Sequence, residues 1–507
     1  MRTTTYLALA MMAGLATGSG CGGDGTDGPR SGADATIPDI TYEDPLTPLD
    51  SLGASITDGI SGIEEVHATA DDRVVYCTSR AGVVVVDRAN PASLSEIARV
   101  DTGPCQHVAV SGDVLFVSHR GDASDAQSRI TAWDLAQSPA VLIDTFTRAS
   151  TSFEGIVADG SMLYAAAHDS GVFALELQAG ALSERGSLTT GFSNAWGLAL
   201  DGTLLYVADA GAGVAVVDVA NPDALASRGA TAAGAIDGSP MSIDVHADAS
   251  GTTVYVGAGH GGIAIIDASD PAQLTVTDTV DTPGSALQVS FGDGHLHVAD
   301  WNDARVFDVS DRSNAVLVTT ESLPDLLPAG TTAPQVRALA AVGSHVFIGE
   351  WGGLYSFEHH PGRVAPDIRA SNDSVAFFNV STGGTKAVAL VVHNDGTARL
   401  VTLIDVEGDV AGDRFTTDVA SLDLGPGESG VIEVRYTASG DVDTGTLVLR
   451  SGDPDQARYQ IPLIGNGPKL QVGEPAPEIA VAMVNGGEWR TSQQLGQIQV
   501  LSYFSVF

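Results

Sequence analysis

The sequence predicts an all-β chain: a seven-bladed β-propeller, then a smaller β-sandwich, then a fragment of a third unit. Three observations carry this. The first is a repeat. Gly82-Val83-Val84-Val85-Val86-Asp87 returns as Gly213–Asp218 (GVAVVD) and Gly262–Asp267 (GIAIID). Looser copies are Arg129–Asp134, Gly171–Glu176, Asp303–Asp308 and Gly353–Glu358. The closing acids stand at 87, 134, 176, 218, 267, 308 and 358, 41 to 50 residues apart. One small sheet per repeat of this length is the mark of a propeller. The second observation is a turn signal before each copy, such as Asp71-Asp72, Asp159-Gly160, Asp201-Gly202 and Asp293-Gly294, pairs that tolerate the positive φ of tight hairpins. The third is a second turn after the acid, Asn90-Pro91, Asn221-Pro222 or Asp270-Pro271, where proline presets φ. Each unit reads as four antiparallel strands, and the repeated acid reads as a cap for turn amides.

The repeats GVVVVDRANP, GVAVVDVANP and GIAIIDASDP resemble the LVIVD repeat of bacterial surface and secreted β-propellers. The resemblance covers about Val66 to Glu358. It implies a propeller over 37–364 and brings no catalytic residues.

From the N-terminus, residues 1–21 read as an export signal: Arg2, then the apolar run Leu7–Ala16, too short to span a bilayer. Gly18-Ser19-Gly20 before Cys21 resembles a bacterial lipoprotein signal, with Gly18 where leucine is usual. The resemblance implies that Cys21 carries a lipid and that the protein sits on the outer membrane or cell surface. Residues 22–36, rich in Gly, Asp and Ser, read as a flexible tether. The seventh repeat, Gln335–Glu358, shows three strands, and a piece of 37–65 is the expected fourth, since an open edge invites foreign pairing.

The chain has 507 residues, with 24 Lys plus Arg against 63 Asp plus Glu, a net charge of −39. Such a surface repels nucleic acid and anionic membranes. Asp405, Glu407, Asp409 and Asp413 cluster without the spacing of a calcium loop. Neither a metal nor another cofactor is expected. Cys77 and Cys105 are the two cysteines of the body; in an exported protein they form a disulfide or stay buried thiols, and the sequence leaves both open.

Ligand chemistry in a propeller is expected at the mouth of the central channel. Loops entering the innermost strands offer His67, Gln106, His107, Glu154, Trp196, Gln288 and Arg337. Loops between the second and third strands share that face and offer Trp301 and Trp351, with His119, His168 and His260 and the acids Asp209, Asp300 and Glu350. A metal or small-molecule site and a merely hydrated rim both fit this list. Neither a Ser-His-Asp order, a phosphate loop nor HExxH is present.

Residues 365–470 change to longer alternating strands: Val388–Val392, Leu400–Val406, Gly430–Tyr436, Thr444–Arg450 and Tyr459–Ile464, a sandwich pattern. VHNDGTARL, LGPGESGVIEVRY, DTGTLVLRSGDPD and IPLIGNG resemble the Ig-like module of abnormal-spindle/hydin type. That resemblance implies a spacer or adhesion role. Residues 471–507 resemble the opening of a thioredoxin- or peroxiredoxin-like domain: Val472–Glu478, Asn485-Gly486-Gly487, Leu495-Gly496 and the apolar run ending at Phe507. In that family the reactive Cys follows this strand. Two functions are therefore expected. One is a non-catalytic binding and display scaffold for a protein, peptide or glycan. The other is a thiol or selenol oxidoreductase whose deduced sequence stops just before its reactive Cys or selenocysteine.

Overall fold

The computed structural model describes residues 49–57, 62–79, 82–119, 128–301, 303–322, 335–372, 374–408, 414–454 and 456–466, and the short strands Ala480–Ala482 and Glu488–Arg490. The expected signal and lipidated Cys21, the tether 22–36 and nearly all of the redoxin-like stretch 471–507 lie outside the described residues. Of that last stretch only a three-residue antiparallel ladder is described, Ala480–Ala482 against Glu488–Arg490.

Among the described residues seven four-stranded antiparallel sheets follow one another along the chain. The first is Ile63–Ala68, Arg73–Thr78, Gly82–Asp87 and Ser95–Val100. Each repeated GVVVVD-type segment is the third strand of its sheet, and its apolar residues are buried on both faces because the sheet is packed between two neighbours. The hairpin signals do what their chemistry predicts: Asp72, Gly112, Gly160, Gly202 and Gly251 all have positive φ. The closing acid is a local cap. The carboxylates of Asp87, Asp134, Asp218, Asp267 and Asp308 each accept the amide two residues on, from Ala89, Ala136, Ala220, Ser269 and Ser310.

Cores lie between sheets. Val75 and Val85 of the first sheet share a cluster with Val108 and Leu115 of the second. Phe116 of the second meets Phe153 and Phe173 of the third. The series continues until Val306 of the sixth sheet packs with Leu339 and Ile348 of the seventh, and Ile63 and Val66 of the first pack with Ala338 and Phe347 of the seventh. The sheets thus form a ring, each burying its apolar faces only against its neighbours. The seventh sheet combines Val336–Val342, His345–Glu350 and Gly353–His359 with the N-terminal strand Leu49–Ile56, which pairs antiparallel with Gly353–His359. Cys77 and Cys105 are bonded to each other across the first and second sheets, with Cα atoms 5.8 Å apart, inside the span a disulfide requires.

Residues 368–465 form two facing sheets around one core that includes Phe377, Phe415, Ile432, Tyr436, Leu447 and Ile461. Strand Thr385–Asn394 pairs with Ser429–Thr437 in one sheet, and Asp443–Ser451 with Arg458–Gly465 in the other. This unit touches the ring through charge. Arg305 of the sixth sheet, almost fully buried, holds Asp300 at 2.9 Å and Asp303 at 3.1 Å and lies 4.0 Å from Asp395 of the sandwich. The amide of Thr320 donates to Asp367 at 2.8 Å.

Candidate functional site at the channel mouth

The first strands of the seven sheets face the axis with one edge unpaired. Their amides still need acceptors, and side chains of the neighbouring first strand supply them. Ser242 accepts from Val289 N at 2.9 Å, Asp244 from Phe291 N at 2.7 Å, Ser290 from Ala341 N at 3.1 Å, and Glu65 from Val108 N. Some polar residues of these strands are therefore scaffold. Two glycines let adjacent strands approach: a Cβ on Gly155 would lie 2.3 Å from the Trp196 carbonyl, and one on Gly197 2.5 Å from the Met241 carbonyl.

At the entrance of these strands lies a cavity of about 290 Å³. Every sheet of the ring lines it: Glu64 and Glu65, Gln106 and His107, Gly155, Trp196, Met241 and Ser242, Gln288 and Trp301, and Arg337. Its charges are paired. Arg337 holds Glu64 at 2.7 Å, and His107 Nδ1 lies 3.2 Å from Glu65. The Arg337 guanidinium lies over two indoles, 5.6 Å from the Trp301 ring centre and 5.7 Å from that of Trp351, both within cation–π range. Gln288 donates to the Val66 carbonyl at 3.0 Å, tying the sixth sheet to the first.

The expected site residues separate into groups. Gln106, His107, Trp196, Gln288, Trp301 and Arg337 line the cavity together. Trp351 does not line it but backs Arg337. Glu154 does not line it either. It is fully buried, 3.0 Å from His168 Nε2, while His168 Nδ1 lies 2.6 Å from Asn194 Oδ1 and the ring meets Trp196 edge-on at 5.4 Å. Glu154 thus supports the indole through His168. His67 is misplaced by the sequence reading. The first strand begins at Ile63 rather than Val66, so the mouth position belongs to Glu64 and Glu65. His67 lies three residues, about 10 Å, further along the channel, where burial lowers its pKa against the pull of Glu65. Glu64, Glu65, Met241 and Ser242 are the mouth residues the sequence reading missed; Glu65 stands six residues before its hairpin turn, as Gln106 and Arg337 do, whereas Met241 and Ser242 stand nine and eight before theirs because the first strand of the fifth sheet is longer.

The second group of loops is mainly structural. His119 is bound to the Pro104 carbonyl at 2.7 Å and Thr131 Oγ1 at 2.9 Å. Asp209 accepts the amides of Ser193 and Asn194, and Glu350 that of Gly352. Two residues there are exceptional. His168 and Trp301 have φ of 50° and 59°, and each bridges to the first strand of the next sheet at the place where the fifth sheet uses Gly259, φ 59°. A bulky residue held in the left-handed region costs on the order of 1–3 kcal/mol and gathers at functional sites. Both strained residues bear on the mouth. Among the described residues no group of three or more His, Cys, Asp or Glu is arranged to hold a metal ion; Glu407, of the acidic cluster, is taken up by Arg450 and Arg458, and Asp409 and Asp413 lie outside the described residues.

Comparison with known proteins agrees with the repeat. Residues 75–102, 193–229, 241–282 and 283–320 match the LVIVD repeat. With the recurring four-stranded sheets, these four matches make the chain a repeat protein of the β-propeller kind. Among solved structures the chain is similar to that of U3-55K, at 13% identity and a TM-score of 0.47, over 61% of this chain and 98% of that one. It is similar also to the RRP9 WD40 repeats, at 13% identity and a TM-score of 0.46, over 62% of this chain and 97% of that one. No curated protein matches the chain.

Proposed function

We propose that the chain is a seven-bladed propeller that binds, without catalysis, the compact polar end of a protein, peptide or glycan at its channel mouth. The Ig-like sandwich of residues 365–470 serves as a spacer, and a lipid on Cys21 holds the exported protein to the bacterial outer membrane or cell surface. One observation carries the binding reading: a cavity of about 290 Å³ into which all seven sheets deliver side chains. Convergence of rigid strands fixes two indoles, two side-chain amides and the Arg337–Glu64 ion pair in one place, as selective polar recognition requires. Paired charges at the mouth, and the absence of a poised nucleophile–base couple there among the described residues, favour recognition over chemistry.

The test has two arms. The purified chain is screened on glycan and peptide arrays, and Trp196→Ala is compared for every ligand found. A loss of affinity of roughly tenfold or more, as expected for a central aromatic anchor, supports the mouth; unchanged affinity places the site elsewhere. For the anchor, Cys21→Ser should move the protein from the membrane fraction to the soluble one. Retention on the membrane after a high-salt wash refutes lipidation.

A further inference from the structure

Where the sixth sheet meets the seventh, three imidazoles lie together. His295 and His297 belong to strand His295–Asp300, and His359 ends strand Gly353–His359. The His359 ring centre is 4.4 Å from that of His295 and 5.2 Å from that of His297. His297 and His359 are each 1% exposed, and neither ring nitrogen of either has a hydrogen-bond partner. Buried polar groups are nearly always bonded, so four unpartnered ring nitrogens in one place call for an explanation. Core packing alone does not need histidine there, and no metal-holding arrangement exists among the described residues.

The cluster sits at the ring's point of closure. His359 is the register partner of Leu49, the first described residue of the closing strand, and Leu49 is buried in the core shared by the sixth and seventh sheets. We propose that this seam is an acid-sensitive latch, in which protonation of His297 and His359 loosens the closing strand Leu49–Ile56 from the seventh sheet. The charges facing the cluster are few. From the sixth sheet's turn, the Asp293 carboxylate favours charge on His359, and the Asp293 backbone carbonyl lies 2.9 Å from His295 Nδ1. Asp308 lies opposite His295 in register and is bound to the Ser310 amide. From the seventh sheet, His360 opposes charge on His359 and lies 3.9 Å from Glu358, which pairs in register with His345. The Gly292 backbone favours charge on His297 without reaching hydrogen-bond geometry. No carboxylate bonds either buried ring, and a second charge would be repelled by the first.

The direction follows. Burial pushes His297 down to about 3 and His359 down to about 4 from the ordinary 6.5. In an opened seam both regain the ordinary value. The latch is therefore fully closed above about pH 6.5 and weakens as pH falls toward 4, because the open form takes up the protons.

The experiment is hydrogen exchange of the full chain from pH 7.5 to pH 4.5, corrected for intrinsic rates. Protection of Leu49–Ile56 should fall by roughly tenfold or more between pH 7 and pH 5, while strands of the third and fourth sheets hold theirs. The double variant His297→Leu with His359→Leu should lose this selective fall. Equal pH response in all sheets, or an unchanged fall in the double variant, overturns the proposal. Should the double variant fail to fold, the wild-type imidazoles are titrated by NMR: values well below 6 support the latch, and ordinary values near 6.5 overturn it.

Discussion

The channel mouth and the histidine seam are both polar clusters inside a ring of apolar interfaces, and they are built in opposite ways. At and behind the mouth ionisable side chains lie beside one another: Arg337 with Glu64, His107 with Glu65, His168 with Glu154. At the seam His297 and His359 have no hydrogen-bond partner. Pairing holds the side chains of the mouth in one geometry. An unpaired buried base costs little while neutral and much once charged. The same fold thus carries a cluster in which each ionisable side chain has an ionisable neighbour of opposite kind, and one in which the two buried imidazoles have no hydrogen-bond partner.

The contrast can be broken at its strongest point by Leu49→Asp. Leu49 is 1% exposed in the core beside the histidines. A buried unpaired carboxylate in place of leucine should cost about 4 kcal/mol or more and free the closing strand at every pH. Urea unfolding followed by protease sensitivity at the N-terminal strand would show it. If stability were unchanged, the seam would not depend on that strand.

A smaller but still large effect is expected from Glu154→Ala, which leaves His168 without its buried partner. The loss should be about 3 kcal/mol, seen as a lower denaturation midpoint, and Trp196 fluorescence should shift because its edge contact with His168 is released. An unshifted emission would mean that Glu154 does not hold the indole.

Asp244, on the channel wall, sharpens the comparison through pH. Burial pushes its carboxyl up to about 6 from an ordinary 3.8, against the amides of Phe291 and Val245. Its neutral form is the favoured one in the fold. Its contribution is therefore present below about pH 4 and lost as pH rises through about 6, opposite in sign to the histidine seam. Asp244→Asn should gain stability over wild type as pH rises from 4 to 7. A constant difference across that range would show that the carboxyl is not strained.

The smallest change in stability is expected from Trp301→Gly. Glycine relieves the left-handed backbone strain, worth about 1 kcal/mol, and loses a cation–π contact with Arg337 of about 0.5–1 kcal/mol. The melting temperature should move little while ligand affinity at the mouth drops. A large fall in melting temperature would make Trp301 a structural residue.

The sequence alone determined the sheets. Valine-rich third strands, Asp-Gly turns and capping acids such as Asp87 and Asp267 act within a few residues, so their meaning does not depend on the rest of the fold. The mouth was legible in part, because Gln106, Trp196, Gln288 and Arg337 all stand five or six residues before their hairpin turns. The first repeat was read out of phase: its strand starts at Ile63, and a shift of three residues exchanged Glu64 for His67. What only the tertiary structure decided are meetings between residues far apart in the chain. Leu49 beside His359 and Glu64 on Arg337 arise because a ring must close on itself, and His297 beside His359 and Cys77 bonded to Cys105 because consecutive sheets stack. Closure pairs the two ends of a chain, and no local pattern records which buried atoms will then find a partner.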